Sequence, residues 1–199
     1  MNKGNIGIVV LSAGESSRFG SEKLLFSIKG KPLIAYVLDE FRDSKFEPRF
    51  FVVKPGFPLD KIDSYNYVVL INDDFKSGLS ASLRLAIKEA VKEGLDGVFI
   101  LLGDMPFLKK ADLETLSRSI SQKRDCIITF RYRKKKGFPT YIPAKYFNDV
   151  LSLTGDRGVG QLIESGTACT YFLDGEWRHS FDIDSSEDVE EAQKYLEKH

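Results

Sequence analysis

Hydrophobic positions along the chain follow two different periods. Uninterrupted apolar runs predict strands, and the first of them, which is rich in β-branched residues, predicts a strand that is covered on both faces. These runs cover residues 6–12, 50–53, 67–71, 97–102 and 126–130. Between them, apolar residues recur at spacings of three and four, which predicts helices with one buried face. Such helices are expected around residues 32–41, 79–91, 113–120, 146–151 and 185–196.

The alternation of strands and helices predicts one class of fold. Helical crossovers between parallel strands give a mostly parallel sheet with helices on both faces, a Rossmann-like three-layer α/β/α sandwich. The length suits one core, so we expect a single domain over residues 1–199. Ligands of open sheets bind beyond the carboxyl ends of the strands. The loops after Leu11, Leu102 and Ile183 are therefore expected to carry the functional residues.

Charge balance and hydropathy narrow the range of partners. The 29 basic and 29 acidic residues cancel, which removes the broad positive field that nucleic-acid binding normally requires, so we expect no nucleic-acid partner. No apolar run approaches the roughly 20 residues of a membrane span, and the first apolar run does not resemble a signal peptide. We therefore expect no membrane association and a cytoplasmic location.

Two further features have an ordinary structural interpretation. Residues 131–136 (RYRKKK) predict a solvated loop beside a strand. The alternative is a surface that a phosphate-rich acceptor approaches. Cys126 and Cys169 match neither a CxxC motif nor a zinc spacing, so we expect two small buried side chains.

The loop after the first apolar run has the composition of a phosphate-binding site. Ser12, Ala13 and Gly14 are small enough for the backbone N–H groups to approach phosphate oxygens, and Arg18 and Lys23 add positive charge. The segment matches neither the P-loop motif nor the GxGxxG fingerprint. The alternative is a plain strand-to-helix turn with both cations in solvent.

This loop also carries a resemblance to a known family. The pattern LxAGxSxRxGxxK, which begins at Leu11, resembles the signature of the molybdenum cofactor nucleotidyltransferase group. The resemblance implies a glycosyltransferase-A type of Rossmann-like fold. It also implies that Arg18 and Lys23 act in catalysis, and that both bind the nucleotide together with Leu11, Ser12, Ala13 and Gly14. The letters LSAG are more similar to the cytidylyltransferase branch than to the guanylyltransferase branch, whose loop tends to read LAGG.

A second segment resembles the part of the family that contacts the nucleotide base. Residues 78–83 (GLSASL) are similar to its GxxxSL segment. The resemblance implies that Gly78 admits the base and that Ser82 forms a hydrogen bond with it. The alternative is an ordinary helix start in which Ser80 or Ser82 contributes to the cap.

Two acidic motifs follow expected strand ends. Asp104 stands in GDMP after the strongest apolar run, where a carboxylate is well placed to hold Mg²⁺, or alternatively to form a turn or cap. Residues 182–185 (DIDS) are expected to close a late strand, whose alternation puts Asp182 and Asp184 on one side. Both motifs resemble family segments, which implies Mg²⁺ held by Asp104, also a catalytic residue, and by Asp184. For Asp182, a direct role and a solvent-facing position stay open.

Two segments resemble the acceptor side of the same family. Residues 137–139 are similar to its GxP segment and residues 155–158 to its GDxG segment, which implies that the acceptor contacts Gly137, Pro139, Asp156 and Arg157. The family commonly continues GDxGAR, whereas this chain has Gly160 in place of the arginine. Arg157 is the candidate to replace it, since arginine is a usual phosphate ligand.

The resemblance implies a Mg²⁺-dependent nucleotidyltransferase. The expected reaction transfers CMP from CTP to the phosphate of molybdopterin and releases pyrophosphate. Alternatives are guanylyl transfer to molybdopterin, cytidylyl transfer to another small phosphorylated acceptor such as a sugar or alditol phosphate, and a non-catalytic nucleotide-binding or cofactor-binding homologue. A molybdenum enzyme that receives the cofactor is a further candidate partner.

Overall fold

The architecture is built on a central sheet. The computed structural model describes residues 4–14 and 23–198. The strands within these ranges are β1 Ile6–Leu11, β2 Ser27–Ile28, β3 Lys31–Pro32, β4 Arg49–Val53, β5 Tyr67–Ile71, β6 Gly97–Leu102, β7 Ile127–Tyr132, β8 Lys135–Pro143 and β9 Thr170–Asp174. The α-helices are α1 Leu33–Phe41, α2 Leu79–Lys92, α3 Lys110–Ile120, α4 Phe147–Leu151, α5 Gly160–Glu164 and α6 Ser186–Lys198.

Seven of these strands form one sheet in the order β5-β4-β1-β6-β8-β7-β9. Neighbouring strands pair in parallel, except that β8 runs antiparallel to both β6 and β7. The short strands β2 and β3 pair as a separate hairpin. The predicted mostly parallel sheet is therefore confirmed.

Alternation along β1 divides the core into two layers. Ile8 and Val10 pack into the core beneath α1, α3 and α6, whereas Val9 and Leu11 pack into the core beneath α2, α4 and α5. Full burial of such a side chain contributes about 2 kcal/mol. Helices therefore cover both faces of the sheet, and the predicted three-layer α/β/α sandwich is confirmed.

Several predictions about strands and buried positions need correction. β8 was not expected as a strand, because its sequence begins with two lysines and contains proline residues that favour a loop. No late strand forms at residues 181–184, and β9 is the last strand among the described residues. Val91, expected on the buried face of α2, is 52% exposed because it lies at the side of that helix, close to its end.

The cysteine prediction was wrong. Cys126 and Cys169 are joined by a disulfide bond between Cα atoms that are 4.6 Å apart. They directly precede the parallel neighbours β7 and β9, and the Ile127 N–H donates to the Cys169 carbonyl. Because 43 residues separate the two cysteines in the sequence, only the strand pairing brings them together.

A buried ion-pair network holds the chain after β9. Asp112 on α3 accepts a 2.7 Å hydrogen bond from Arg178 Nη2, and His179 Nε2 lies 3.1 Å from the same carboxylate. The His179 ring stacks on Phe130 of β7 at 3.9 Å between centroids. These contacts fix the turn at 177–179 that leads into the DIDS segment. In the described ranges, no helix combines the length and the apolar character that crossing a membrane requires.

Candidate active site

A cleft of about 550 Å³ opens beyond the carboxyl ends of β1 and β6, beside the first turn of α2. The sheet order reverses at β1, which has β4 on one side and β6 on the other, and such switch points are the usual ligand sites of open α/β sheets. The predicted site residues that line the cleft are Leu11, Ser12, Ala13, Gly14, Lys23, Gly78, Ser82, Asp104, Asp156 and Asp184.

Four predicted residues do not fall into this set. Gly137, Pro139 and Arg157 are described by the structure but do not line the cleft. Arg18 lies outside the described residues. The cleft also contains Asp182, whose role the sequence left open.

Backbone hydrogen bonds fix the positions of the residues that follow β1 and β6, at the base of the cleft. The Ser12 N–H donates to the Val52 carbonyl at 2.9 Å, and the Gly103 N–H donates to the Leu11 carbonyl at 3.0 Å. A side chain at position 103 would collide with Ser12 and Ile34, so a glycine is required there. This close approach sets the position of the residue that follows, Asp104.

Three carboxylates meet at one side of the cleft. Asp104, Asp182 and Asp184 each offer an oxygen, and these oxygens lie within 4.8 Å of one another. The segment 182–184 is held against the GDMP loop because the Ile183 N–H donates to the Asp104 carbonyl at 3.1 Å. Ile183 itself is buried. Asp182 and Asp184 thus lie on one side as expected, but in a segment that forms no strand with the described residues.

The acidic cluster has the donor set of a divalent cation site. Asp104 Oδ1 is buried and, among the described residues, has no hydrogen-bond partner. A carboxylate with one unpartnered oxygen, next to two further carboxylates, fits a hard cation such as Mg²⁺, which prefers oxygen ligands. The alternative for Asp104, a turn or cap former, would require backbone partners for this oxygen. The residues therefore fit the metal that the resemblance implies.

Lys23 supplies positive charge to the same cluster. Its Nζ lies 2.8 Å from Asp104 Oδ2 and 2.7 Å from Asp184 Oδ1, and its side chain is only 13% exposed. Burial by itself lowers the pKa of Lys23, but the adjacent Asp104 and Asp184 carboxylates outweigh it and raise the pKa above its ordinary value. The ammonium group therefore stays charged and bridges two of the three carboxylates.

The clustering of three carboxylates disfavours the ionised form of Asp182. Burial, followed by the negative charges of Asp104 and Asp184, raises the pKa of Asp182 to about 6. The native state therefore binds one more proton than the unfolded chain between about pH 4 and pH 6. Stability must fall as the pH rises through this window.

Replacing Asp182 with asparagine is expected to stabilise the metal-free protein at pH 7. We expect a gain in the free energy of unfolding of about 1 kcal/mol after solvent screening is allowed for. The gain should vanish near pH 4, where the native carboxyl group is already protonated. Urea unfolding of both proteins in chelator at pH 4 and pH 7 measures the difference. An equal gap at both pH values would show that Asp182 is not repelled by its neighbours.

The other side of the cleft is formed by the start of α2 and the GDxG loop. Gly78 has a φ of +88°, and a side chain there would collide with Gly155 and Asp156. The Ser80 N–H donates to the Gly155 carbonyl at 3.0 Å, and the Leu79 N–H donates to Asp156 Oδ1 at 3.3 Å. The GxxxSL and GDxG segments are therefore packed together.

Ser82 has a buried polar partner that the sequence analysis missed. Asn72 Nδ2 donates to Ser82 Oγ at 2.9 Å, and both side chains are buried. Gly78 is the N-cap residue of α2, and the Leu79 N–H is bound by Asp156 rather than by a serine, so the capping alternative for Ser80 and Ser82 is wrong. Asn72 follows the carboxyl end of β5. That position is the signal that could have identified it, because strand ends form the site.

Comparisons with known proteins point to one family. Residues 8–170 match the family model described as MobA-like NTP transferase domain. The chain is 25% identical over 199 residues to a probable molybdenum cofactor guanylyltransferase of Thermococcus sibiricus, covering 95% of this chain and 98% of that protein. It is 27% identical over 191 residues to a probable molybdenum cofactor guanylyltransferase of Pyrococcus horikoshii, covering 90% and 95%. The crystal structure of Rv0371C from Mycobacterium tuberculosis in complex with manganese superposes with a TM-score of 0.73, at 25% identity over 96% and 98% of the two chains.

Proposed function

The chain belongs to the MobA-like NTP transferase family of nucleotidyltransferases, and from this premise we propose that it transfers GMP from GTP to the phosphate of molybdopterin. The observation that carries the proposal is the bridge from Lys23 to Asp104 and Asp184 in the cleft at the switch point. Both relatives are named guanylyltransferases, which favours GTP over CTP, the donor that the LSAG loop favoured.

The proposed reaction is a displacement at phosphorus. An oxygen of the acceptor phosphate forms a bond to the α-phosphorus of GTP, and the bond from that phosphorus to the α,β-bridging oxygen breaks. Pyrophosphate leaves with the electron pair of that bond. The acceptor is already an anion, so no general base is required, and the protein contributes alignment and neutralisation of charge.

Asp104 and Asp184, with Asp182 beside them, are the residues that would hold Mg²⁺. When bound, the ion would neutralise negative charge on the triphosphate. The manganese in the related Mycobacterium tuberculosis structure supports a divalent metal in this proposal. Lys23 adds a second positive charge at the same place and would bind phosphate oxygens.

The strand end after Leu11 would bind the triphosphate. Among the described residues, nothing lies within 4 Å of the position that a Gly14 side chain would occupy, so the backbone at Gly14 leaves room for phosphate oxygens. Arg18 is proposed to approach the same phosphates. On the opposite wall, Gly78 and Ser82 would flank the base. The Asn72 to Ser82 hydrogen bond holds the serine hydroxyl in one orientation.

A comparison of four nucleotide donors tests the proposal directly. Pyrophosphate release is measured with GTP, CTP, ATP and UTP, in the presence of Mg²⁺ or of chelator, with and without molybdopterin. Release that requires GTP, molybdopterin and the metal is expected. Release with CTP in place of GTP would select the cytidylyl alternative, and release with a sugar or alditol phosphate would replace the acceptor. Nucleotide binding without release would identify a binding homologue and contradict the proposal.

A further inference from the structure

The space above Gly160 is filled by a lysine from another element. Lys136 lies near the start of β8, and its Nζ is 2.5 Å from the position that a Cβ of Gly160 would occupy. The family segment GDxGAR, which residues 155–160 resemble, has an arginine where this chain has Gly160. The fold therefore places a cation from β8 where the backbone of α5 carries no side chain.

Lys136 is only partly neutralised. Its Nζ lies 3.9 Å from Glu164 Oε1, and the other oxygen of Glu164 pairs with Arg157. Two cations thus share one carboxylate, whose side chain is 52% exposed. Burial, followed by the positive charge of Arg157, lowers the pKa of Lys136. An anion near this pair would compensate the charge that Glu164 leaves unbalanced.

This pair of cations lies beside the cleft. Strand β8 runs antiparallel to β6, so its first residues lie at the edge where β6 ends and where Asp104 follows. Arg157 comes directly after Asp156, which lines the cleft and accepts a hydrogen bond from the Leu79 N–H. A ligand bound to the cleft can therefore extend toward Lys136 and Arg157.

We infer that Lys136, together with Arg157, forms the anion subsite that holds the phosphate of the acceptor. The inference rests on the proposed function for the identity of the acceptor. Gly160 serves this subsite because a side chain there would displace the ammonium group. The ion pair with Glu164 does not explain the arrangement, since exposed pairs at such distances contribute little to stability.

Replacing Lys136 with methionine tests the inference. The variant keeps a similar side-chain length and removes the charge. We expect the KM for molybdopterin to rise about 10- to 100-fold, the loss typical of one charge-assisted hydrogen bond, while the KM for GTP stays within about twofold. The matched control is Lys135→Met, because Lys135 is exposed and points to the opposite face of β8. Equal effects of the two replacements, or an effect confined to stability, would overturn the inference.

A rescue variant separates a positioning role from general damage. Adding Gly160→Arg to Lys136→Met returns a cation from α5 to the same space. We expect the KM for molybdopterin to recover at least severalfold, because position 160 has no positive φ and its nearest neighbour is the flexible lysine end that has been removed. No recovery in a folded double variant that still binds GTP would argue against an anion subsite at this place.

A binding experiment makes the inference independent of turnover. Inorganic phosphate is titrated into the full chain while the side-chain ammonium resonances of Lys136 and Lys135 are followed by NMR. We expect phosphate to raise the pKa of Lys136 and to leave Lys135 unchanged. If no donor and acceptor pair reacts, the proposed function fails while this result still supports the subsite. An unchanged Lys136 resonance would refute the subsite even in an active enzyme.

Discussion

Replacing Asp104 with asparagine is expected to lower turnover by about a thousandfold or more while the fold is preserved. The replacement removes the carboxylate that pairs with Lys23 and whose second oxygen has no partner in the described protein. Because this carboxylate would hold the metal ion that neutralises the triphosphate, its loss weakens that neutralisation, and a thousandfold slower turnover corresponds to about 4 kcal/mol of barrier. The fold should tolerate the change because Asp182 loses a repulsive neighbour.

Single-turnover pyrophosphate release and urea unfolding measure the two effects separately. Binding of Mn²⁺ to the nucleotide-free protein provides a third readout and should weaken at least tenfold, because a carboxylate ligand is lost. Asp73→Asn is a suitable control, since Asp73 is exposed near the same end of the sheet and does not line the cleft. Normal turnover in a folded Asp104→Asn protein would show that Asp104 has no catalytic role.

The strands that build the site were predictable because they are apolar on both faces. β5 and β6 have the predicted bounds, and β1 differs by one residue. Parallel strands bring their carboxyl ends to one edge, so the loop after Leu11 and the GDMP motif were bound to meet. That reasoning is geometric and depends only on where each apolar run stops.

The elements that escaped prediction owe their structure to distant partners. β8 has the composition of a loop and becomes a strand because β6 and β7 provide hydrogen-bond partners on both sides. The same holds for the disulfide between Cys126 and Cys169. Local sequence patterns carry no information about such pairings, which depend on tertiary contacts.

Side-chain partnerships in the site were predictable only in part. The sequence indicated Lys23 and Asp104 as site residues, but not that the lysine bridges two carboxylates. It gave no sign that Lys136 fills the space over Gly160, because 24 positions separate the two residues and only the packing of β8 against α5 joins them. Local motifs therefore indicate which residues act in the site, whereas the fold determines which of these residues pair with one another.

Replacing Lys23 with methionine is expected to change catalysis and metal binding in opposite directions. Turnover should fall at least about a hundredfold, because a positive charge next to the triphosphate is lost. Binding of Mn²⁺ without nucleotide should tighten severalfold. The ammonium group that lies 2.8 Å from Asp104 and 2.7 Å from Asp184 competes with a metal for these carboxylates.

The opposite signs make this prediction specific to the bridge. If Lys23 only stabilised the fold, its replacement would lower turnover, metal affinity and the free energy of unfolding together. Titration of Mn²⁺ by electron paramagnetic resonance, for wild type and Lys23→Met, measures the affinity without any turnover, and Lys76→Met serves as the control because Lys76 also lines the cleft. Weaker Mn²⁺ binding in the Lys23 variant would mean that the lysine organises the carboxylates. Tighter binding would show that lysine and metal compete for the same carboxylates, so that metal entry frees Lys23 to reach the phosphates.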